Sequence, residues 1–496
     1  MGIRTGAEYR EGLRDGREFW LDGERVGDVT TDPRLSTVVD SIAELYDLQH
    51  EPELKERLTF TEDGETFGLS YLEPRSEADL RRRREMVKTW MDWTAGMMGR
   101  SPDFMNIHMT GFGSAHEYFA RGGARYGENA RNYYLDARKH DWVLTHTLIN
   151  PQTDRSRPVH EQPGDTAAHI VDERDGGAVI RGARMIATLA PFSDELAVFP
   201  STFLEVAEEA RPYAFAFCIP VATKGLRFIC RPAITPVGGR VLDYPFSSRL
   251  DEMDCVVIFD DVLVPWERFF VYREPKLGNG LFPETGTMNQ IMHQFAVKNQ
   301  AKAEFLLGLA LTIAETIGIG QFPQVQNYMA DMINTVELVR ACVRASEADC
   351  GPGPNDTVLP AAQPLWTVRT LFPQLYPKLA ETIQVMGASG LVMVPSAAEL
   401  DSPVRDDIMT YYQGATRPAD ERIEIFRLAW DLAVSGFAGR QVLYERYFSG
   451  DPWRLQINRL NAYPHKDEFK ARVADFIQRT REWDARAAEL KAAARP

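Results

Sequence analysis

The chain has 496 residues, room for two to four domains at roughly 100–200 residues each. Its 44% hydrophobic and 26% charged residues are the mixture of a globular protein whose core needs neither disulfides nor a structural metal. A net charge of −15, from 71 acidic and 56 basic side chains, disfavours nucleic acid and anionic membranes as partners.

Residues 1–142 read as a mainly helical domain. In TDPRLSTVVDSIAELYDLQ the apolar residues Val38, Val39, Ile42, Leu45 and Tyr46 recur at about a 3.6-residue period, which predicts an amphipathic helix. SEADLRRRREMVKTWMDWTAGMM predicts a second helix, capped by Ser76 with Glu77 and Asp79 in its first turn. Its buried stripe is Leu80, Met86, Trp90, Trp93 and Met97; it is expected to end near Gly99, before a loop RSPDFMN. Residues 143–270 change texture. AVIRGARMIATLAP, YAFAFCIPVAT, LRFICRPAITPVGG and DCVVIFDDVLVPW are short β-branched and aromatic runs between turn signals, the pattern of a sandwich or barrel. Residues 271–496 return to long helical segments, each fit to be one arm of a bundle, with CGPGPNDTVLPAAQP as a loop between arms. The tail from DEFKAR onward is a mostly exposed helix suited to clasping a neighbouring subunit. The fold class expected is α+β, in the order helices, β domain, bundle.

Five scattered cysteines without a Cys-x-x-Cys pair suit core packing in a reduced, cytoplasmic protein. The polar N-terminus has no signal-like apolar run, and no stretch reaches the roughly 18–20 apolar residues of a membrane span. There is no P-loop, no G-x-G-x-x-G after a strand, no G-x-S-x-G elbow and no zinc spacing. A redox cofactor, if used, is therefore held neither by a Rossmann fingerprint nor by thiolates, and no metal is expected.

Three clusters carry chemistry. In GRSPDFMN, Arg100 sits at a helix–loop junction before Pro102, where a guanidinium is either an anion holder aimed inward or a capping group for local carbonyls. In LTHTLINPQTDRS, His146 at the entry to the β domain is either a proton exchanger or a structural imidazole; Gln152, Asp154 and Arg155 offer hydrogen bonds to a polar ring or ribityl chain. In RGARMIATLAPFSDE, Thr188 among small residues either lets a planar ring approach the backbone or is an ordinary sheet threonine.

Taken in order, GRSPD (99–103), LTHTLINPQTDRS (144–156), RGARMIATLAP (181–191), SSRLDEMDCVVIFDDVLVPWER (247–268), KAEFLLGLA (302–310), QVMGASGL (384–391) and SGDPWR (449–454) resemble the 4-hydroxyphenylacetate 3-monooxygenase family, its large flavin-using component. The resemblance implies an acyl-CoA-dehydrogenase-like fold with a C-terminal four-helix bundle that builds a homotetramer. It implies reduced FAD delivered by a separate NAD(P)H-dependent reductase, dioxygen as co-substrate, and hydroxylation of a small phenol, ortho to its hydroxyl, through a flavin C4a-hydroperoxide. It places Arg100 and His146 beside the substrate as catalytic groups, and His146, Thr147, Leu148, Gln152, Thr153, Asp154, Arg155 and Thr188 along the flavin. Ser201 and Thr202 match a loop over the substrate, and Ser449, Gly450, Asp451 and Pro452 a C-terminal flavin contact. One position departs: Phe104 stands where the family often has Tyr, so a hydroxyl that could orient the substrate is missing. The rival readings are an acyl-CoA dehydrogenase, a hydroxyacyl-CoA dehydratase, whose cluster cysteines have no counterpart at Gly99 and Asp103, and a non-catalytic flavin-binding scaffold.

Overall fold

The computed structural model describes residues 2–494 except Gln152, Pro163, Asp165, Ser201 and Thr202. The N-terminal part contributes helices α1 (Ser36–Leu48), α2 (Glu77–Trp93), α3 (Pro102–Ser114) and α4 (Ala124–His140). As the sequence predicts, the Ser76 hydroxyl accepts the Asp79 amide and caps α2. Two expectations fail here. Helix α2 stops at Trp93, so Trp93 leaves the buried stripe and is 51% exposed. The segment expected to be a loop instead opens α3: Pro102 occupies its first turn, where a missing N–H costs nothing. All thirteen residues of α3 are buried, and it packs against α4 and the bundle. Glycines make that possible: a Cβ at Gly111 would lie 2.5 Å from the Thr287 hydroxyl, and one at Gly113 2.5 Å from the Tyr134 ring.

Strands β1 (Phe19–Leu21), β2 (Glu24–Arg25), β3 (Leu144–Thr147), β4 (His169–Arg174), β5 (Gly177–Thr188), β6 (Glu195–Val198), β7 (Phe215–Pro220), β8 (Leu226–Cys230), β9 (Asp254–Pro265) and β10 (Phe269–Tyr272) form one mixed sheet. Its order is β10-β7-β6-β3-β5-β9-β8-β1-β2, with β4 on β5. Only β1 with β8 and β3 with β6 run parallel. The helical reading of the N-terminal part missed β1 and β2, which extend the sheet beyond β8; runs of three and two residues are too short to show a period.

The C-terminal part is a bundle of α5 (Thr287–Thr316), α6 (Pro323–Ala348), α7 (Ala362–Val392) and α8 (Ala419–Ala433), followed by α9 (Gly436–Tyr447), α10 (Pro452–Ala462) and α11 (Lys466–Ala493). The run RIEIFRLAWDLAVSGFAGRQVLYERYF, read as one arm, is two helices, because Ser435 accepts the Phe437 and Ala438 amides and starts α9 anew. No helix among the described residues is long and apolar enough to cross a membrane.

Two lysines one turn apart on α5 meet a single carboxylate on α9. Glu445 accepts from Lys298 Nζ at 2.6 Å and from Lys302 Nζ at 2.5 Å, and all three groups are buried. Burial pulls the Lys298 ammonium down to about 8 although Glu445 opposes it. Removing one partner of a buried ion pair strands the other. Glu445→Gln is expected to destabilise the chain by about 3–5 kcal/mol, read as a lower thermal midpoint; an unchanged midpoint refutes this role.

Candidate active site

Helix α3, strand β3, the start of α5 and the end of α9 converge on a cavity of about 1010 Å³. That is at the upper end of the roughly 300–1,000 Å³ of ligand and cofactor sites. Arg100 enters it just ahead of α3. Its backbone N–H donates to Glu252 at 2.6 Å, which fixes the residue, and its Nη1 donates to His146 Nε2 at 2.9 Å. The guanidinium carbon lies 4.9 Å from the Phe104 ring centre and 4.7 Å from that of Phe448, so the cation is flanked by two aromatic rings. Its Nε is buried without a partner. Asp103, beside Arg100, takes Ser101 Oγ at 2.6 Å and Gln294 Nε2 at 2.8 Å, tying the first turn of α3 to α5. Burial raises its carboxyl to about 6.

Two imidazoles face this cation. His146, on β3, has its pKa driven well below the ordinary histidine range by burial first, then by Arg100 and His108, so it is neutral at neutral pH. With Nε2 accepting from Arg100, the ring proton belongs on Nδ1. His108 donates Nδ1–H to the Phe104 carbonyl at 2.7 Å, the helical i to i+4 geometry, which leaves Nε2 as an acceptor. Burial pulls it down to about 3.

The sheet wall is set by a charge network. The Thr188 hydroxyl donates to Asp254 Oδ1 at 2.8 Å, its directly opposite residue on β9. Burial works against ionisation of Asp254, but Arg440 at 2.8 Å and Arg231 at 3.0 Å outweigh it and hold the carboxyl at about 2. At the outer rim Arg155, Arg157, Arg369 and Arg454 line the cavity. Arg369 Nη2 reaches the Ser449 carbonyl at 3.3 Å while its Nε is buried and unpartnered, and burial lowers it to about 10. Asp451 caps α10 by accepting the Arg454 amide at 2.9 Å, after Gly450 turns the chain at φ +106°, a conformation open to glycine.

The residues predicted from sequence fall into three groups. Arg100, Phe104, His146, Leu148 and Thr188 line the inner cavity, and Asp154, Arg155, Ser449, Gly450 and Asp451 line its rim. Thr147 is buried in β3 with an unpartnered hydroxyl, Thr153 is exposed, and Pro452 is the first residue of α10; none of the three is on the wall. Gln152, Ser201 and Thr202 lie outside the described residues. The sequence reading missed His108, Phe448, Arg369 and Arg454. His108 was findable: it is four residues beyond Phe104, on the same face once Pro102 is read as a helix start. Arg369 had no local signal.

N-terminal helices, a central mixed sheet and a C-terminal bundle around such a cavity make the acyl-CoA-dehydrogenase-like architecture of a flavoprotein. Models of the 4-hydroxyphenylacetate 3-hydroxylase N-terminal and C-terminal families match residues 5–271 and 278–478. The chain belongs to this family, whose members are oxygenase components of two-component flavin-dependent monooxygenases. It is 42% identical over 478 residues to the 4-hydroxyphenylacetate 3-monooxygenase oxygenase component of Thermus thermophilus, covering 96% of this chain and 97% of that one. To the protein of the same name from Geobacillus sp. it is 39% identical, with 96% and 97% covered. A crystal structure of a 4-hydroxyphenylacetate 3-monooxygenase oxygenase component complexed with FAD and 4-hydroxyphenylacetate superposes with a TM-score of 0.92 at 40% identity, covering 97% and 99% of the two chains.

The arrangement makes His146 a spectroscopic reporter. Its ring nitrogens are expected to show a neutral Nδ1–H tautomer that does not titrate between about pH 6 and 8. Arg100→Ala removes a nearby positive charge and is expected to raise the His146 pKa, because a cation disfavours imidazolium. Nitrogen-15 shifts followed against pH check both; titration of the native ring near the ordinary 6.5 would refute them.

Proposed function

We propose that the chain uses reduced FAD and dioxygen to hydroxylate a small phenol ortho to its hydroxyl, with 4-hydroxyphenylacetate the first candidate because relatives carry that name. The observation that carries this reading is the neutral His146 imidazole 2.9 Å from the Arg100 guanidinium inside an aromatic-walled cavity. The residues suit FAD. Unpartnered buried nitrogens on Arg100 and Arg369, and a cationic rim with Arg155 and Arg454, match a flat polar ring joined to a diphosphate. Leu148 and Thr188 are assigned to the ring, and Asp154, Ser449, Gly450 and Asp451 to its polar tail. The family resemblance adds Gln152 to the flavin and Ser201 and Thr202 to the substrate. When bound, reduced flavin would supply the activation of dioxygen, the chemistry that the family resemblance implies.

The chain's own groups prepare the ring to be attacked. A phenolate delivers more charge to its ortho carbon than a phenol does. His146 Nε2 takes the phenolic proton while the Arg100 Nη1–H moves to the phenolic oxygen, leaving the oxyanion between two cations. His108 Nε2 is a second acceptor that orients the incoming hydroxyl. The aromatic wall of Phe104, Phe282, Phe295 and Phe448 excludes water, which favours oxygen transfer over loss of peroxide. Phe104 contributes a ring face and no hydroxyl, so orientation falls to the two histidines.

The reading of the assembly rests on α11. Phe469, Val473, Phe476, Thr480, Trp483, Ala487 and Leu490 are spaced alternately four and three apart, a heptad seam, and the five large residues are 44–66% exposed up to Phe476 and 65–70% beyond it. We assign this seam to a neighbouring subunit of a homotetramer; a separate NAD(P)H-dependent reductase supplies the flavin. Deleting residues 466–496 is expected to lower the assembly state in sedimentation; an unchanged tetramer removes the assignment.

Mixing the chain with reduced FAD, labelled dioxygen and a panel of phenols is expected to give a catechol carrying one labelled atom. His146→Ala should slow that step about 100- to 10,000-fold with FAD binding retained. If no aromatic gains oxygen from any phenol, the reading is wrong.

A further inference from the structure

Cys230 ends β8 and Cys255 stands second in β9, directly opposite each other on neighbouring antiparallel strands with their sulfurs 3.5 Å apart. The Arg231 N–H donates to the Asp254 carbonyl at 3.1 Å, so the next pair along is hydrogen-bonded and Cys230 with Cys255 occupies the alternate, non-hydrogen-bonded site. At such sites the Cα atoms stand about 4.5 Å apart, within the roughly 4.4–6.8 Å that a disulfide spans. The two differ in access. Cys255 is 2% exposed, while Cys230 is 8% exposed and lines a surface groove of about 440 Å³ with Trp20, Arg227, Ile229 and Pro232. That groove shares no lining residue with the active-site cavity. Burial keeps the Cys255 thiol protonated, which suits a resolving partner and not the first sulfur attacked.

We propose that Cys230 and Cys255 are a redox-active dithiol that hydrogen peroxide closes to an intrachain disulfide. The Cys230 thiolate attacks one peroxide oxygen, forming an S–O bond as O–O breaks and hydroxide leaves. The Cys255 sulfur then displaces the sulfenic hydroxyl, forming S–S and releasing water. Two thiols are oxidised, one peroxide is reduced, and two waters result. Closure brings the sulfurs from 3.5 Å to about 2.0 Å and so draws β9 toward β8. On its other edge β9 pairs with β5, Cys255 opposite Ala187 and Asp254 opposite Thr188. The ladder already carries an irregularity between Cys255 and Val257, so strain there passes to the bond from Thr188 to Asp254. The peroxide source rests on the monooxygenase reading, since reduced flavin that fails to transfer oxygen releases hydrogen peroxide; the dithiol itself does not.

The test treats the full FAD-free chain with hydrogen peroxide and reads intact mass and peptides. The expected result is a loss of two hydrogens, a linked peptide joining Cys230 to Cys255, reversal by dithiothreitol, and no linkage in Cys230→Ala or Cys230→Ser. FAD added afterwards should bind the oxidised chain roughly three- to tenfold more weakly, the worth of one hydrogen bond. An unchanged mass, or an irreversible gain of two or three oxygens on Cys230, overturns the dithiol. A disulfide that leaves FAD affinity unchanged overturns its link to the pocket. Failure of the reduced chain to bind FAD refutes the flavin reading and leaves the mass result to decide the dithiol separately.

Discussion

One guanidinium joins the three parts of this chain. Arg440, on α9, is bonded to Asp254 at 2.8 Å and to the Glu252 carbonyl at 2.8 Å, with the Glu252 carboxylate 3.4 Å away. Glu252 takes the Arg100 amide from the N-terminal part, and Asp254 takes the Thr188 hydroxyl from the sheet. A buried cation is tolerable only where anions surround it, and a buried carboxylate only where donors fill its lone pairs. Each group therefore requires the others in place. The cavity wall is positioned by that mutual need more than by apolar packing, which is non-directional.

The same low-dielectric surroundings decide protonation. Two aromatic rings face the Arg100 guanidinium and partly compensate its burial. The imidazoles beside it cannot carry a second positive charge without an anion, so burial and Arg100 together keep both neutral. An entering phenol changes that balance. In the mechanism proposed above, proton transfer to His146 would create the anion that makes a second cation tolerable, so charge separation would become favourable only with the substrate oxygen in position. The site is in this sense conditional: its basicity is produced by the ligand it acts upon.

How much of this was legible beforehand varies with the range of the cause. Local causes showed. The Ser76 cap, the period of α1 and the β-branched runs of β5, β7, β8 and β9 are each written within a few neighbouring residues. Pro102 misled because the same residue both breaks a helix and begins one, and only burial of the following turns distinguishes the two. That misreading hid His108. Arg369 and Phe448 were invisible because they reach the cavity from α7 and just past α9, brought there by bundle packing that no local pattern encodes. Arg100 and His146 were visible as candidates, while their 2.9 Å contact depends on how α3 lies against β3.

Phe104 shows what the missing hydroxyl costs and what replaces it. The ring lies tilted against His108, with centroids 4.6 Å apart, and against His146 at 5.7 Å, while Arg100 lies over its face. A hydroxyl on that ring would compete for the Nε2 lone pair that His108 leaves open, since that of His146 is already taken by Arg100. Without it, the polar side chains that meet this ring are one cation and two neutral imidazoles. On the reading proposed above, this end of the cavity would favour an acidic hydroxyl on a flat ring. Discrimination among phenols would then rest on contacts with the rest of the substrate, such as those offered by Phe203, Leu204 and Glu205 on the cavity wall. On that reading, recognition of the reacting end and recognition of the substrate's identity would be physically separate, and that separation would let one catalytic arrangement serve different phenols.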